Sequence, residues 1–300
     1  MSVLLTRRRA IVGPMLLGAG LLGAGMLLPA ARPKAAVGDA TQARLADLEA
    51  RHGGRLGVSV LDTGSGQRIE HRANERFAMC STFKLLAASM VLSRVDRTEE
   101  RLDRRIRFTA ADVVDYSPVT GPRAGGAGMT MGEVCEAAMT QSDNTAGNLM
   151  LQSFGGPAAL TAYARSLGDP VTRLDRMETA LNEAAPGDPR DTTTPAAMVD
   201  NLAQLALGPA LSEPSRAQLI TWMVGNRTGD RRLRAGFPEG WRVGDKTGTG
   251  GHGAAADIAV VWRPERTPLV VAVYCAEAAA PAERRNSLFE EVARVIAAVP

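Results

Sequence analysis

The stretch WRVGDKTGTGGHGAAADIAVVWRPERTPLVVAVYCA, residues 241–276, contains three apolar runs separated by turn residues. These runs are rich in β-branched residues, which predicts three strands, at 241–247, 256–262 and 269–276. Two more strands are predicted early in the chain, at 55–61 and 67–73. Because strand patterns occur at both ends of the chain, we expect the two ends to share one sheet.

The sequence between the two sets of strands has the apolar periodicity and capping residues of helices. The predicted helices are 82–94, 131–139, 144–154, 157–167, 195–207 and 213–224. An aperiodic loop over residues 168–191 interrupts them. A helix capped by Thr41 and ending near His52 precedes the sheet, and a helix over 282–298, begun by Pro281, follows it.

These elements predict an α+β fold with two lobes. The first lobe, residues 39–76 and 226–300, combines the sheet with flanking helices contributed by both ends of the chain. The second lobe, residues 77–225, is an inserted all-helical unit. A functional site is expected in the cleft between two such lobes.

The composition is that of a globular protein, with 45% hydrophobic and 22% charged residues. Five of the 35 basic residues lie in residues 1–38, which contain no acid, so the remaining sequence has 30 basic against 32 acidic residues. This near-neutral body shows no basic patch, so no nucleic-acid partner is expected. The scattered histidines and cysteines show no metal-ligand spacing, and we expect no metal and no cofactor.

The first 38 residues have the pattern of a signal peptide: a basic cluster, Arg7-Arg8-Arg9, followed by an apolar run over 10–31. The cluster fits either a twin-arginine signal or an ordinary basic region. An uncleaved membrane anchor is the alternative, but small residues around 35–40 favour cleavage. We therefore expect an exported protein, periplasmic or secreted, without stable membrane association after cleavage.

Three cysteines, Cys80, Cys135 and Cys275, allow at most one disulfide, and their spacing does not identify a pair. Buried free thiols are the favoured interpretation. Lysine use is more informative, because the whole chain has only Lys34, Lys84 and Lys246. An arginine stays charged at any working pH, whereas a buried lysine can become a neutral amine.

Both internal lysines belong to short polar motifs. Ser81-Thr82-Phe83-Lys84 opens a predicted helix, and the spacing of three places the amine on the same face as the Ser81 hydroxyl. Free backbone N–H groups at the start of a helix also suit a developing oxyanion. The alternative for this motif is a capping serine beside a surface lysine.

Three further motifs follow in the chain: Ser142-Asp143-Asn144, Glu178-Thr179-Ala180-Leu181-Asn182 and Lys246-Thr247-Gly248-Thr249. The first offers a hydroxyl and an amide, and the second a carboxylate and an amide that can hold one water. Each also has a plain structural interpretation, respectively a helix cap, a solvated acidic loop and a sheet-edge lysine. Their joint occurrence in this order favours one catalytic site.

From about residue 41 to the C-terminus, this set of motifs resembles the class A serine β-lactamases. The resemblance implies hydrolysis of the β-lactam amide of penicillin- and cephalosporin-type antibiotics, with Ser81 as the nucleophile. It implies that Glu178, with Asn182, activates the deacylating water. Ser142 would relay a proton to the leaving nitrogen, and Lys246 would orient it. Whether Lys84 or Glu178, acting through a water, is the acylation base stays open.

The resemblance also implies a set of substrate-binding residues. The oxyanion hole would consist of the backbone N–H groups of Ser81 and Thr249, and Asn144 would bind the substrate's side-chain amide. The substrate carboxylate would meet Lys246, Thr247 and Thr249. Many relatives add an arginine where this chain has Ala254-Ala255-Ala256, so Arg232 is assigned to an alternative position. Tyr116 resembles an aromatic residue at the cleft rim.

In the family a salt bridge, here Arg176 with Asp191, closes the loop that carries the deacylation base. Two differences from the family's sequence pattern limit what the resemblance implies for this chain. Some carbapenem-hydrolysing relatives pair the cysteine before the nucleophile with a second one, but here Gly250 takes that place opposite Cys80. Thr179 stands where relatives often have proline.

Three other functions compete with a lactamase. A penicillin-binding D,D-peptidase shares the Ser-x-x-Lys arrangement but lacks the carboxylate–amide water site. A membrane-tethered β-lactam sensor needs a retained apolar segment and a cytoplasmic domain, yet only about nine residues precede the apolar run. An exported non-catalytic helical protein requires all four motifs to be structural.

A monomer whose only partner is its small-molecule substrate is expected.

Overall fold

The structure, a computed structural model, describes residues 34–279 and 281–299, which are organised around a five-stranded antiparallel sheet. The strands are β1 (Arg55–Asp62), β2 (Arg68–His71), β3 (Phe77–Ala78), β4 (Arg105–Ile106), β5 (Met129–Thr130), β6 (Thr192–Thr193), β7 (Arg242–Thr249), β8 (Ala255–Trp262) and β9 (Leu269–Ala276). The sheet has the order β2-β1-β9-β8-β7, and β3–β6 and β4–β5 form two small ribbons. The prediction that both ends of the chain share one sheet is confirmed.

The helices match the predicted ones to within about two residues at most ends, the usual uncertainty of helix boundaries. They are α1 (Lys34–His52), α2 (Phe83–Asp96), α3 (Met131–Thr140), α4 (Asn144–Ser153), α5 (Pro157–Ser166), α6 (Pro195–Ala206), α7 (Glu213–Val224), α8 (Leu233–Gly236) and α9 (Ala282–Ala297). Thr41 is not an N-cap, because α1 begins at Lys34 and an alanine-rich stretch carries the helix through it.

The signal peptide is predicted over residues 1–38, and residues 1–33 of it lie outside the described part of the chain. Its last residues form the start of α1. Among the residues that the structure describes, no helix combines the length and apolarity needed to cross a membrane.

The outer face of the sheet is covered by the two terminal helices. Leu45 of α1 and Phe289 of α9 are fully buried and pack with Val58 and Val271 of the central strands. Alternate strand residues point to opposite faces, so the same strands supply a second core on the inner side. This outer core fixes the helices contributed by the two ends of the chain onto one sheet.

The inner face of the sheet shares a core with the helices of the central segment. Tyr274, Ala256 and Val260 of the sheet belong to the same buried cluster as Leu85 and Met139 of the helices. Residues from Lys34 onward form one compact unit. The division into lobes at 39–76 with 226–300 and at 77–225 therefore stays an interpretation of the sequence.

Helix α2 runs through the middle of this core, and ten of its fourteen residues are buried. A helix that is apolar on every side is stable only when other elements surround it. Its buried position fixes Lys84, in its first turn, deep inside the protein.

The three cysteines are free and buried. Burial raises the pKa of the Cys80 thiol to about 12 and that of Cys275 to about 11, and it also raises the pKa of Cys135. The interpretation as buried free thiols is confirmed by this structure.

The contact between sheet and helices can be tested at Gly57. A Cβ added there would lie 2.4 Å from Cε2 of Phe77 and 2.9 Å from Cγ of Pro195. We expect Gly57→Ala to lower the free energy of unfolding by about 1–3 kcal/mol through overpacking, measured by urea denaturation. Gly121→Ala is the matched control, because its Cβ would meet nothing closer than 3.9 Å. Equal stability of the two variants would contradict the packing described here.

Candidate active site

Ser81 lies in a short 3₁₀ turn, Cys80–Thr82, that leads directly into α2. Cys80 has a φ of +45°, a left-handed conformation that is unfavourable for a residue with a side chain. The prediction that this motif opens the helix is confirmed, and Ser81 and Lys84 face each other as the spacing implies. Lys84 Nζ lies 2.8 Å from Ser81 Oγ.

Lys84 is fully buried and surrounded by oxygen acceptors. Besides Ser81, its Nζ donates to the Ser142 carbonyl at 2.9 Å and to Asn144 Oδ1 at 2.6 Å. Glu178 Oε1 is 2.8 Å away. Burial lowers the pKa of Lys84, and the Glu178 carboxylate opposes that shift. Since four acceptors surround an amine with at most three N–H groups, Lys84 is placed to exchange a proton with a neighbour.

Glu178 faces the same hydroxyl from the loop. Its Oε1 lies 3.4 Å from Ser81 Oγ, and its Oε2 accepts from Asn182 Nδ2 at 2.5 Å. Asn182 Oδ1 is buried and accepts no hydrogen bond from the described residues. A water beside Glu178 can therefore donate to this oxygen, as expected for a carboxylate and an amide that share one water.

Asn148 anchors the backbone of Glu178, and the sequence reasoning did not identify it. Glu178 N donates to Asn148 Oδ1 at 2.8 Å, and Asn148 Nδ2 donates to the Glu178 carbonyl at 2.9 Å. The peptide bond between Glu178 and Thr179 is cis. Asn148 lies one helical turn after Asn144 on α4, so the i,i+4 spacing was the available signal.

The loop that carries Glu178, residues 168–191, is closed by Arg176 and Asp191. Arg176 Nε donates to Asp191 Oδ2 at 2.6 Å, and Asp191 Oδ1 accepts from the backbone N–H groups of Asp175 and Arg176 at 2.7 and 2.9 Å. The Asp191 side chain is fully buried. The two residues lie together as the resemblance implies.

Ser142 and Lys246 complete the polar cluster from the opposite side. Lys246 Nζ donates to Ser142 Oγ at 3.0 Å and to the Thr247 carbonyl at 2.8 Å. Between Ser142 and Asn144, Asp143 caps α4 at Ala146 N, so the plain capping interpretation is correct for this residue. Its carboxylate also accepts from the backbone and hydroxyl of Thr120. Asp143 thereby holds the turn that presents Ser142.

The residues matched to substrate binding surround this cluster. Asn144 Nδ2 donates to the Asp115 carbonyl at 2.9 Å, which orients its amide. The Tyr116 carbonyl accepts from Asn144 N at 3.0 Å, and the Tyr116 side chain is 61% exposed at the rim. The hydroxyls of Thr247 and Thr228 are hydrogen-bonded at 2.5 Å.

Arg232 is buried against strands β7 and β8. It donates to the carbonyls of Gly248 and Ala256 at 2.7 Å each and to Asn286 Oδ1 at 3.0 Å. A further hydrogen bond, 2.7 Å long, reaches Thr249 Oγ1. The side chain is therefore joined to the site through the Thr249 hydroxyl.

The comparisons with known proteins agree with this geometry. A family model described as "Beta-lactamase enzyme family" matches residues 40–299. The chain belongs to the β-lactamase family. β-Lactamase AST-1 of Nocardia asteroides is 51% identical over 253 residues, 84% of this chain and 81% of that protein. β-Lactamase OXY-2 of Klebsiella oxytoca is 45% identical over 283 residues, 94% and 93% of the two chains.

The solved structure of an ancestral (GNCA) class A β-lactamase is also similar. It is 62% identical, with a TM-score of 0.84, covering 85% of this chain and 98% of that one. The predicted α+β fold and the predicted family are both confirmed.

The electrostatics of this β-lactamase site follow from burial. Burial and the charge of Lys84 lower the pKa of Lys246 to about 7, although Asp245 and Asp257 oppose the shift. Burial also lowers the pKa of Arg232 and raises the pKa of Asp257. Lys246 therefore changes its charge near neutral pH.

We expect Asp191→Asn to loosen the 168–191 loop, because an amide NH₂ would replace an oxygen that accepts a buried N–H. Hydrogen–deuterium exchange should show about tenfold faster exchange at Asp175 and Arg176. Asp188→Asn is the control, since that carboxylate pairs mainly with the exposed Arg190 at 2.7 Å. Unchanged exchange in Asp191→Asn would contradict the role given to this contact.

Proposed function

We propose that this protein hydrolyses the β-lactam amide of penicillin- and cephalosporin-type antibiotics through an acyl-enzyme on Ser81. One observation carries the proposal: the Ser81 hydroxyl lies between the Lys84 amine, at 2.8 Å, and the Glu178 carboxylate, at 3.4 Å. A serine hydroxyl needs an adjacent base to become a nucleophile, and both candidate bases are in reach.

In the acylation step the Ser81 oxygen attacks the lactam carbonyl while its proton leaves. A charged Lys84 cannot take this proton. After it gives a proton to the Glu178 carboxylate, 2.8 Å away, the neutral amine that burial favours can accept the Ser81 proton directly. Glu178 can accept it through a water. The shorter distance supports Lys84 as the direct acceptor.

The tetrahedral intermediate carries a negative charge on the former carbonyl oxygen. The backbone N–H groups of Ser81 and Thr249 are assigned to bind this oxyanion. When the carbon–nitrogen bond breaks, the ring nitrogen takes a proton from the Ser142 hydroxyl. Lys246, 3.0 Å from Ser142 Oγ, replaces that proton or stabilises the oxygen that lost it.

Deacylation then requires an activated water. Glu178 and Asn182 hold this water, Glu178 removes its proton, and the hydroxide attacks the ester carbonyl. The ester bond breaks, Ser81 regains a proton, and the ring-opened acid leaves. Because the 168–191 loop positions Glu178, Asp191→Asn is expected to slow deacylation more than acylation.

Substrate binding is assigned to the groups around the cluster. The carboxylate of the β-lactam meets Lys246, Thr247 and Thr249, and Arg232 acts on it through the Thr249 hydroxyl. Asn144 binds the side-chain amide of the substrate, and Tyr116 bounds the cleft at its exposed rim.

We also propose that the mature protein is exported, periplasmic or secreted, and acts as a monomer. The nearest competing function is a D,D-peptidase, which remains acylated because it has no water site. The hydrogen bond between Glu178 and Asn182 argues for turnover instead.

The first test uses a chromogenic cephalosporin and mass spectrometry. We expect the parent protein to hydrolyse the substrate, and Glu178→Ala to form an adduct that accumulates. Ser81→Ala, the control, should form no adduct. A parent protein that acylates without turnover would support the peptidase, and rapid turnover in Glu178→Ala would remove the role given to Glu178.

A second test uses the pKa of Lys246. Since its pKa is about 7, the side chain is charged below this pH and neutral above it. We expect KM for a penicillin to rise as the pH increases from 6 to 9, by about tenfold if a charge-assisted contact is lost. The methyl ester of the same penicillin is the control, because it has no carboxylate. Parallel KM profiles for acid and ester would contradict the assignment.

A further inference from the structure

One row of residues crosses the sheet directly beneath the nucleophile. Gly57, Tyr274, Ala256 and Gly248 are direct partners on the neighbouring strands β1, β9, β8 and β7. Direct partners in an antiparallel sheet place their side chains on the same face. Tyr274 is thus the one large side chain in a row of two glycines and an alanine, and it is fully buried.

The small residues of this row make room for the turn that carries Ser81. A Cβ on Gly248 would lie 2.8 Å from the Met79 carbonyl oxygen and 3.2 Å from Ser81 N. At the other end of the row, a Cβ on Gly57 would lie 2.4 Å from Cε2 of Phe77. The ring centroid of Phe77 is 6.1 Å from that of Tyr274. The Met79–Thr82 backbone therefore rests directly on the sheet.

A hydrogen-bond chain joins this turn to Tyr274. Thr82 Oγ1 donates to the Met79 carbonyl at 2.8 Å, since a carbonyl can only accept. The Tyr274 hydroxyl lies 3.2 Å from Thr82 Oγ1, whose only proton is already used, so Tyr274 is the donor. Burial raises the pKa of Tyr274, which keeps this proton in place.

The turn needs such external support. Cys80 adopts a positive φ, and the 3₁₀ turn has no side-chain cap of its own. A backbone held in an unfavourable region persists only when its surroundings fix it. The Tyr274–Thr82–Met79 chain is a contact that does so from the sheet.

We propose that Tyr274 is a positioning residue for the β-lactamase reaction. Its hydroxyl acts through Thr82 to hold the Met79–Thr82 turn, so that the backbone N–H and the hydroxyl of Ser81 point at the reacting carbonyl. This inference rests on the proposed role of Ser81 as nucleophile. Tyr274 itself does not touch the substrate.

Tyr274→Phe tests the proposal, because it removes the hydroxyl and keeps the ring. We expect kcat/KM to fall about fivefold, the effect of one neutral buried hydrogen bond. The affinity for phenylboronic acid, which forms a tetrahedral adduct on a nucleophilic serine, should fall by the same factor. Tyr163→Phe removes another phenolic hydroxyl, near Arg97 on the helical side, and should leave both values unchanged.

Thr82 supplies the coupling test. Thr82→Val should reproduce the loss, whereas Thr82→Ser, which keeps a hydroxyl, should restore most of the parent values. In the Thr82→Val background, Tyr274→Phe should have almost no further effect on kcat/KM or on boronate affinity.

Three results would overturn the inference. The first is that Tyr274→Phe matches the parent in kcat/KM and boronate affinity. The second is that Tyr274→Phe lowers kcat/KM and boronate affinity by as much in the Thr82→Val background as in the parent. Its loss of activity could also follow a lower fraction of folded protein, measured by thermal unfolding and by active-site titration. A parent protein without turnover or boronate binding would instead overturn the proposed function, and this inference with it.

Discussion

The buried ion pair between Lys84 and Glu178 is the interaction on which the rest of the site depends. Their charged atoms are 2.8 Å apart, and neither side chain is exposed. Burying each ion costs on the order of several kcal/mol, which attraction and further hydrogen bonds must offset. Lys84 donates to three other oxygens, and Glu178 accepts from Asn182. Removing either partner would leave the other as an uncompensated buried charge, so each residue stabilises the other in the site.

The two charged residues lie on very different structural elements. Lys84 belongs to a helix buried on every side, whereas Glu178 lies on an irregular loop. Asn148 fixes the backbone of Glu178, and Asp191 fixes the base of the loop. The loop that carries Glu178 is thus anchored to helix α4 by Asn148 and closed at its base by Asp191, as a precise arrangement of reacting groups requires.

Local pattern in the sequence was enough to predict which side chains meet in the candidate site, because each motif is short and its spacing has a direct geometric meaning. Ser81 and Lys84 had to share a helix face, and the strand runs had to form a sheet. Contacts between distant segments left at most a weak pattern, such as the i,i+4 spacing of Asn148 from Asn144. Asn148 and Tyr274 act on residues far from them in the chain, and the orientation of Arg232 depends on carbonyls of two separate strands. At Thr41 the prediction was wrong for a different reason. Threonine is a normal helix-capping residue, but the helix-forming residues before it start the helix earlier and extend it through Thr41.

The buried cysteines have a consequence for how the molecule behaves outside its reaction. With pKa values of about 12 and 11, the sulfurs of Cys80 and Cys275 remain protonated in ordinary buffers and are shielded from reagents. The native state is therefore inert toward alkylation and toward scrambling with foreign disulfides. Any thiol labelling must therefore come from molecules whose core has transiently opened. The labelling rate then measures how often the core opens.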